Sequence, residues 1–131
     1  MEGGAPWSTG SLRTQAAMRK EDGVAIDANR GRLIEVAMAE AGKTIDQADT
    51  EISEAVDFAH YYAQRALELD KIDGATPVPF GVTVVTPPWN LPIAIPAGGA
   101  LAALAAGSVV PVSYTHLTLH TPPSIDTMYV E

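Results

Sequence analysis

Asn90 stands in the run Thr86-Pro87-Pro88-Trp89-Asn90-Leu91-Pro92, and an asparagine amide donates hydrogen bonds without taking on charge. On residue type alone, Asn90 caps a turn or the helix that follows. Gly42-Lys43-Thr44 imitates the end of a phosphate-binding loop. It fails the full pattern, because Ala37 stands where the first glycine belongs and a helical rather than a strand pattern precedes it. His116 and His120 have helical i, i+4 spacing, but Thr and Pro surround them. They do not make a metal site. His60 lies among Phe58, Tyr61 and Tyr62 and reads as a packed or surface side chain. Glu51, Glu54 and Asp57 read as a solvated helix face, and Glu35 and Glu40 lie on a helix away from any expected cleft. The chain has no cysteine, which excludes a thiolate nucleophile, a disulfide framework and thiolate metal ligation.

The elements that must position Asn90 are legible on either side of it. Val82-Thr83-Val84-Val85-Thr86 is a β-branched run that reads as a short buried strand. Two prolines end it, and Trp89 and Asn90 form the turn. Pro92 suits the first turn of a helix, where its missing N–H costs nothing. Alanine-rich sequence from Ala97 to Ala106 continues that helix, Gly107 suits the residue past its end, and Ser108-Val109-Val110 starts a second strand. Strand, turn, helix, strand is a βαβ unit, so the fold class is α/β: N-terminal helices and then the first βαβ unit of a Rossmann-like dinucleotide-binding domain. The turn at Asn90 lies at the carboxyl end of a strand, where such sheets bind ligands. Gly98-Gly99 and Gly107 fall within and after the helix rather than on the strand-to-helix turn. They serve close packing, not a dinucleotide fingerprint.

Upstream, Ser11 to Arg30 has helix-forming residues with Leu12, Ala16 and Met18 as candidate apolar contacts, and Gly23 interrupts it at a cost of about 1 kcal/mol relative to alanine. Arg32 to Ala41 is a better helix, closed by Gly42 in a left-handed cap. Thr44 with Gln47 has capping-box spacing. Ile52, Ala55, Val56, Ala59, Ala63, Ala66 and Leu67 form one stripe of a long amphipathic helix, Ile45 to Leu69, with a break near Asp49 as the alternative. Glu51, Glu54, Asp57, Gln64 and Glu68 are assigned to the opposite face. The connection Asp70 to Pro79, with Gly74, Pro77 and Pro79, marks a boundary. The organisation is therefore residues 1–72 helical, 73–110 the βαβ start, and 111–131 an irregular tail.

Composition narrows the partners. Apolar residues are 47% and charged residues 18%, which is not a disordered composition. A net charge of −8 argues against nucleic acid and against anionic lipid. No secretory signal opens the chain, which together with the missing cysteines fits a cytoplasmic protein. No Asp, Glu, Lys or Arg occurs between Asp73 and Asp126, so Leu91 to Val112 also reads as a membrane span. Pro92, Pro96 and the glycines weaken that alternative, and no membrane role is assigned.

The run Thr86 to Pro92, followed by Ala97-Gly98-Gly99 and Leu104-Ala105-Ala106-Gly107, closely resembles the aldehyde dehydrogenase superfamily. The double proline and Pro96-Ala97-Gly98-Gly99 are most similar to its L-glutamate γ-semialdehyde (1-pyrroline-5-carboxylate) dehydrogenase branch, in particular the dehydrogenase part of bacterial proline-utilisation enzymes. The resemblance covers Arg30 to Val110. It implies an NAD-dependent oxidoreductase, with NADP also open, acting on a small aldehyde in proline catabolism within a homo-oligomer. It implies that the Asn90 amide donates to the oxyanion formed when a cysteine thiolate attacks the aldehyde. It also implies that Thr86, Pro87, Pro88 and Trp89 line the dinucleotide site. Ser113 replaces a lysine that the family directs at the cofactor's adenosine part.

The family's nucleophile and general-base glutamate fall farther along than Glu131, so the chain reads as a truncated fragment, inactive alone and prone to aggregate through an unpaired strand edge. Val112-Ser113-Tyr114-Thr115-His116-Leu117-Thr118-Leu119 resembles translated adapter sequence, and native sequence is expected to stop near Val110. The alternative is a stand-alone small α/β nucleotide-binding or interaction module without catalysis, using Trp89 and the proline-rich turn.

Overall fold

The computed structural model describes residues 12–69 and 71–113. Four helices appear in order: α1 (Leu12–Ala28), α2 (Arg30–Ala41), α3 (Ile45–Leu69) and α4 (Ala94–Ala105). Helix α3 is the spine, and α1, α2 and α4 all pack on it. Its stripe buries Ala48, Ile52, Ala55, Ala59, Ala63 and Ala66. The core is accordingly built mainly from alanine, with Ile52 its largest fully buried side chain. Such small side chains let helices approach closely. A Cβ added at Gly23 of α1 would lie 3.1 Å from the Cβ of Ala59 on α3.

That contact corrects the expectation at Gly23. Helix α1 runs through the glycine without interruption, because packing against α3 offsets its low helix propensity. Of the expected α1 contacts, Ala16 is buried and Met18 is 46% exposed; the side chain of Leu12 lies outside the described residues. Arg30 ties the α1–α2 junction to α3. Its guanidinium donates to Asp49 at 2.6 Å and to Asp27 at 2.8 and 3.0 Å. These hydrogen bonds, to Asp49 first and then Asp27, raise the Arg30 pKa above its ordinary value.

Both ends of the α2–α3 turn match the sequence reading. Gly42 adopts φ 63°, and its N–H reaches the Ala37 carbonyl. The Thr44 N–H donates to Gln47 Oε1 at 3.1 Å, and the Gln47 N–H donates to Thr44 Oγ1 at 3.3 Å, which is a reciprocal capping box. Helix α3 is continuous over 25 residues, Ile45–Leu69, as the single-helix reading has it, with no break at Asp49.

The segment after the helices departs from expectation in two ways. Residues 81–85 and 109–113 run parallel, joined by bridges Val82↔Val109 and Val85↔Val112. The Val85 N–H donates to Pro111 O at 3.0 Å, and the Ser113 N–H donates to Val85 O at 2.9 Å. These are isolated bridges rather than a continuous ladder. The run expected to be buried is also open, with Val82 61% and Val84 57% exposed. A parallel pair reaches full burial only when both faces are covered, and among the described residues α4 is the helix set against it: a Cβ on Gly99 would lie 2.8 Å from Val85 Cγ1. No described helix is long and apolar enough to cross a membrane.

Candidate functional site

Helix α4 begins at Ala94, two residues later than Pro92 would place its first position. Pro92 sits in the preceding turn, Ile93 is the N-cap residue, and Pro96 occupies the first turn instead. The physical argument is unchanged, since a missing N–H is harmless among the first unpaired donors of a helix. The other leading donors do not go to Asn90. The N–H groups of Ile93 and Ala94 donate to Glu51 Oε2 at 3.0 and 3.2 Å.

Glu51 is the main residue near the site that the sequence pattern misplaces. Its charge points to the solvated face of α3, yet it is 3% exposed. Lys43, whose side chain is 13% exposed, forms an ion pair with Glu51 Oε1. The positive end of α4 and the ammonium of Lys43 therefore share one buried carboxylate, each with its own oxygen. A signal was available: Ala48, Glu51, Ile52 and Ala55 follow helical steps of three and four on the buried stripe. Glu54 and Asp57 remain exposed as expected.

The same junction opens a cleft of about 590 Å³. One wall is the start of α3, with Lys43, Gln47, Thr50 and Glu54. The other is Trp89-Asn90-Leu91. Asn90 is exposed, and its side chain makes no hydrogen bond among the described residues. Trp89 is 38% exposed. Of the residues matched to the dinucleotide site, Thr86 and Pro88 are exposed and Pro87 is buried. Only Trp89 among those four lines the cleft. Lys43 is held by Glu51 and a helix precedes Gly42, so Gly42-Lys43-Thr44 is not a phosphate loop. The described residues contain no cluster of three or more metal-ligating side chains. His116 and His120 lie outside the described residues.

Comparison with known proteins decides the family. The aldehyde dehydrogenase family model matches residues 2–122. The chain belongs to the aldehyde dehydrogenase family. It is 39% identical over 104 residues to the bifunctional protein PutA of Klebsiella aerogenes, covering 79% of this chain and 8% of that protein. It is 43% identical over 81 residues to the 1-pyrroline-5-carboxylate dehydrogenase of Anoxybacillus flavithermus, covering 54% of this chain and 16% of the relative. Among solved structures, proline utilization A from Corynebacterium freiburgense superposes with a TM-score of 0.77 at 39% identity, over 79% of this chain and 11% of that one. The 1-pyrroline-5-carboxylate dehydrogenase from Thermus with bound NAD gives 0.76 at 26% identity, over 81% of this chain and 23% of that one. This aldehyde dehydrogenase family chain thus spans less than a quarter of each of these relatives.

Proposed function

We propose that this chain is the amino-terminal helical part and oxyanion turn of an enzyme that oxidises L-glutamate γ-semialdehyde to glutamate in proline catabolism. The observation that carries the reading is the division of labour at α4. Glu51 caps the helix, so the bland role for Asn90 is already filled. The Asn90 amide is left exposed on the wall of a cleft. An uncharged donor at that position would stabilise the oxyanion that forms when a thiolate adds to an aldehyde, an effect typically worth about 2.7–4 kcal/mol for a preorganised donor. The names of the relatives support the substrate class.

NAD is the cofactor of this reading, supported by the NAD-bound Thermus neighbour; NADP is compatible with the same residues. It supplies the hydride acceptor. Thr86, Pro88 and Trp89 offer it an accessible surface of one hydroxyl, a ring and an indole. That donor set fits an uncharged part of a dinucleotide. No Lys or Arg occurs from Ile72 to Ser113, so this stretch brings no cation to a phosphate. A βαβ start to a Rossmann-like domain, a cytoplasmic setting and a homo-oligomeric parent complete the proposal.

The test is to sequence the source gene across the codon for Val110 and express the frame found there. Continuation with a lysine at the position of Ser113 and a later cysteine is the expected result, with NADH formed from glutamate γ-semialdehyde. Asn90→Ala is then expected to lower kcat by about 10²–10³-fold. A frame that reads Ser113 to Glu131 and stops overturns the enzyme reading and favours the binding module.

A further inference from the structure

We infer that Glu51 is a positioning residue for the Asn90 turn, held in its working state by Lys43. The inference rests on the oxyanion reading of Asn90 for its purpose, but not for its geometry. Asn90 is followed by Leu91 and Pro92, and then by the two N–H groups that Glu51 grips. On its strand side the turn is held at Pro88, which takes part in a β-bridge. Within the turn, the Leu91 N–H donates to Pro88 O at 3.5 Å, at the limit of a useful hydrogen bond. On its helix side, just past Pro92, the fixed point is the Glu51 carboxylate.

That carboxylate is itself rigid. It stands on a buried stripe of the 25-residue spine helix, one residue before Ile52, which is fully buried. Lys43 follows the left-handed Gly42 and precedes the capping box. The ammonium is thus presented from a turn that is fixed at both ends. A chain of fixed groups runs from the α2–α3 turn through Lys43 and Glu51 to α4 and the Asn90 wall of the cleft. A preorganised donor needs such support, because its value depends on not having to reorganise when charge develops.

Hydrogen exchange on the 131-residue chain, read by mass spectrometry with fragmentation at low concentration, tests the inference without any catalysis. In Glu51→Gln, protection at Ile93 and Ala94 is expected to fall by about tenfold or more, the scale of a lost bond to a charged acceptor. Ala59 and Ala63 of the core should stay within about twofold, a spread expected of a local change. Glu51→Asp should restore part of the loss. Unchanged protection at Ile93 and Ala94, or an equal loss at Ala59 and Ala63, overturns the inference.

If Glu51→Gln does not fold, the unmodified chain still decides. Carbodiimide labelling should leave Glu51 untouched while the exposed Glu54 reacts, and labelling of Glu51 as fast as Glu54 overturns the inference. Failure of the oxyanion reading looks different: Glu51→Gln would loosen α4 as described, while Asn90→Ala in the longer enzyme left kcat unchanged.

Discussion

Glu51 on α3 accepts the N–H of Ile93 at 3.0 Å across 42 residues of sequence, and this bond joins the helical part of the chain to the start of α4. It replaces the local cap that Ser, Thr, Asp or Asn normally provides. A local cap needs nothing from the rest of the fold. A distant one makes the start of α4, and with it the Asn90 turn, depend on α3 and on Lys43.

The ion pair and the cap can be separated by mutation. Lys43→Met leaves a buried carboxylate without its cation, and such a loss costs about 3–5 kcal/mol. Replacing both, in Lys43→Met/Glu51→Met, removes the charge problem but orphans the Ile93 and Ala94 donors. The double variant should therefore recover only part of the loss. Urea unfolding followed by far-ultraviolet circular dichroism checks this, and full recovery would mean that the cap contributes nothing.

Glycine packing gives a second prediction. A Cβ at Gly98 would lie 2.9 Å from the Phe58 ring, and one at Gly99 would lie 2.8 Å from Val85 Cγ1. Either alanine should destabilise the chain by about 1–3 kcal/mol, as overpacking does. Phe58→Leu should relieve Gly98→Ala but not Gly99→Ala. At Gly31 in α2 nothing lies within 4 Å of the added Cβ, so Gly31→Ala should be neutral or stabilising by up to about 1 kcal/mol. Thermal melts of the variants and of the double variant are the measurement.

Much of this fold was legible because its signals are local. The bounds of α3, the Gly42 cap and the Thr44–Gln47 box each follow from a few neighbouring residues. Gly98-Gly99 was legible as packing, though not which neighbours it meets. What was not legible is tertiary. Glu51 looked solvated because charge outweighed its place on the stripe, and no sequence rule announces an acceptor 42 residues from its donor. Gly23 looked like a defect because its partner, Ala59, is on another helix. Val82 and Val84 are open although their pattern points to a buried strand, because a β-branched run signals a strand but not what covers it. Asn90 was legible as a candidate site through its motif; that it is spared from capping was not.

That open run predicts behaviour in solution. Phe80, Val82 and Val84 are 80%, 61% and 57% exposed, beside backbone that other strands could extend. Exposed apolar edges promote association, and a charge placed on them opposes it. Val84→Lys should raise the concentration at which light scattering first appears, with the helical circular dichroism signal preserved. Earlier scattering in Val84→Lys would place the sticky surface elsewhere.

The strongest prediction concerns chemistry that should not occur. An oxyanion donor stabilises charge that a nucleophile has already created, so its contribution multiplies the rate of an addition step and cannot replace it. In the proposed reading Asn90 is such a donor, but the chain contains no cysteine to add to the aldehyde. Residues 1–131 incubated with NAD and glutamate γ-semialdehyde should therefore show no NADH absorbance above a matched blank, and Asn90→Ala should show the same flat trace. A rise that disappears in Asn90→Ala would mean that another group in this chain attacks the aldehyde. The pairing of Asn90 with a thiolate from outside the chain would then have to be abandoned.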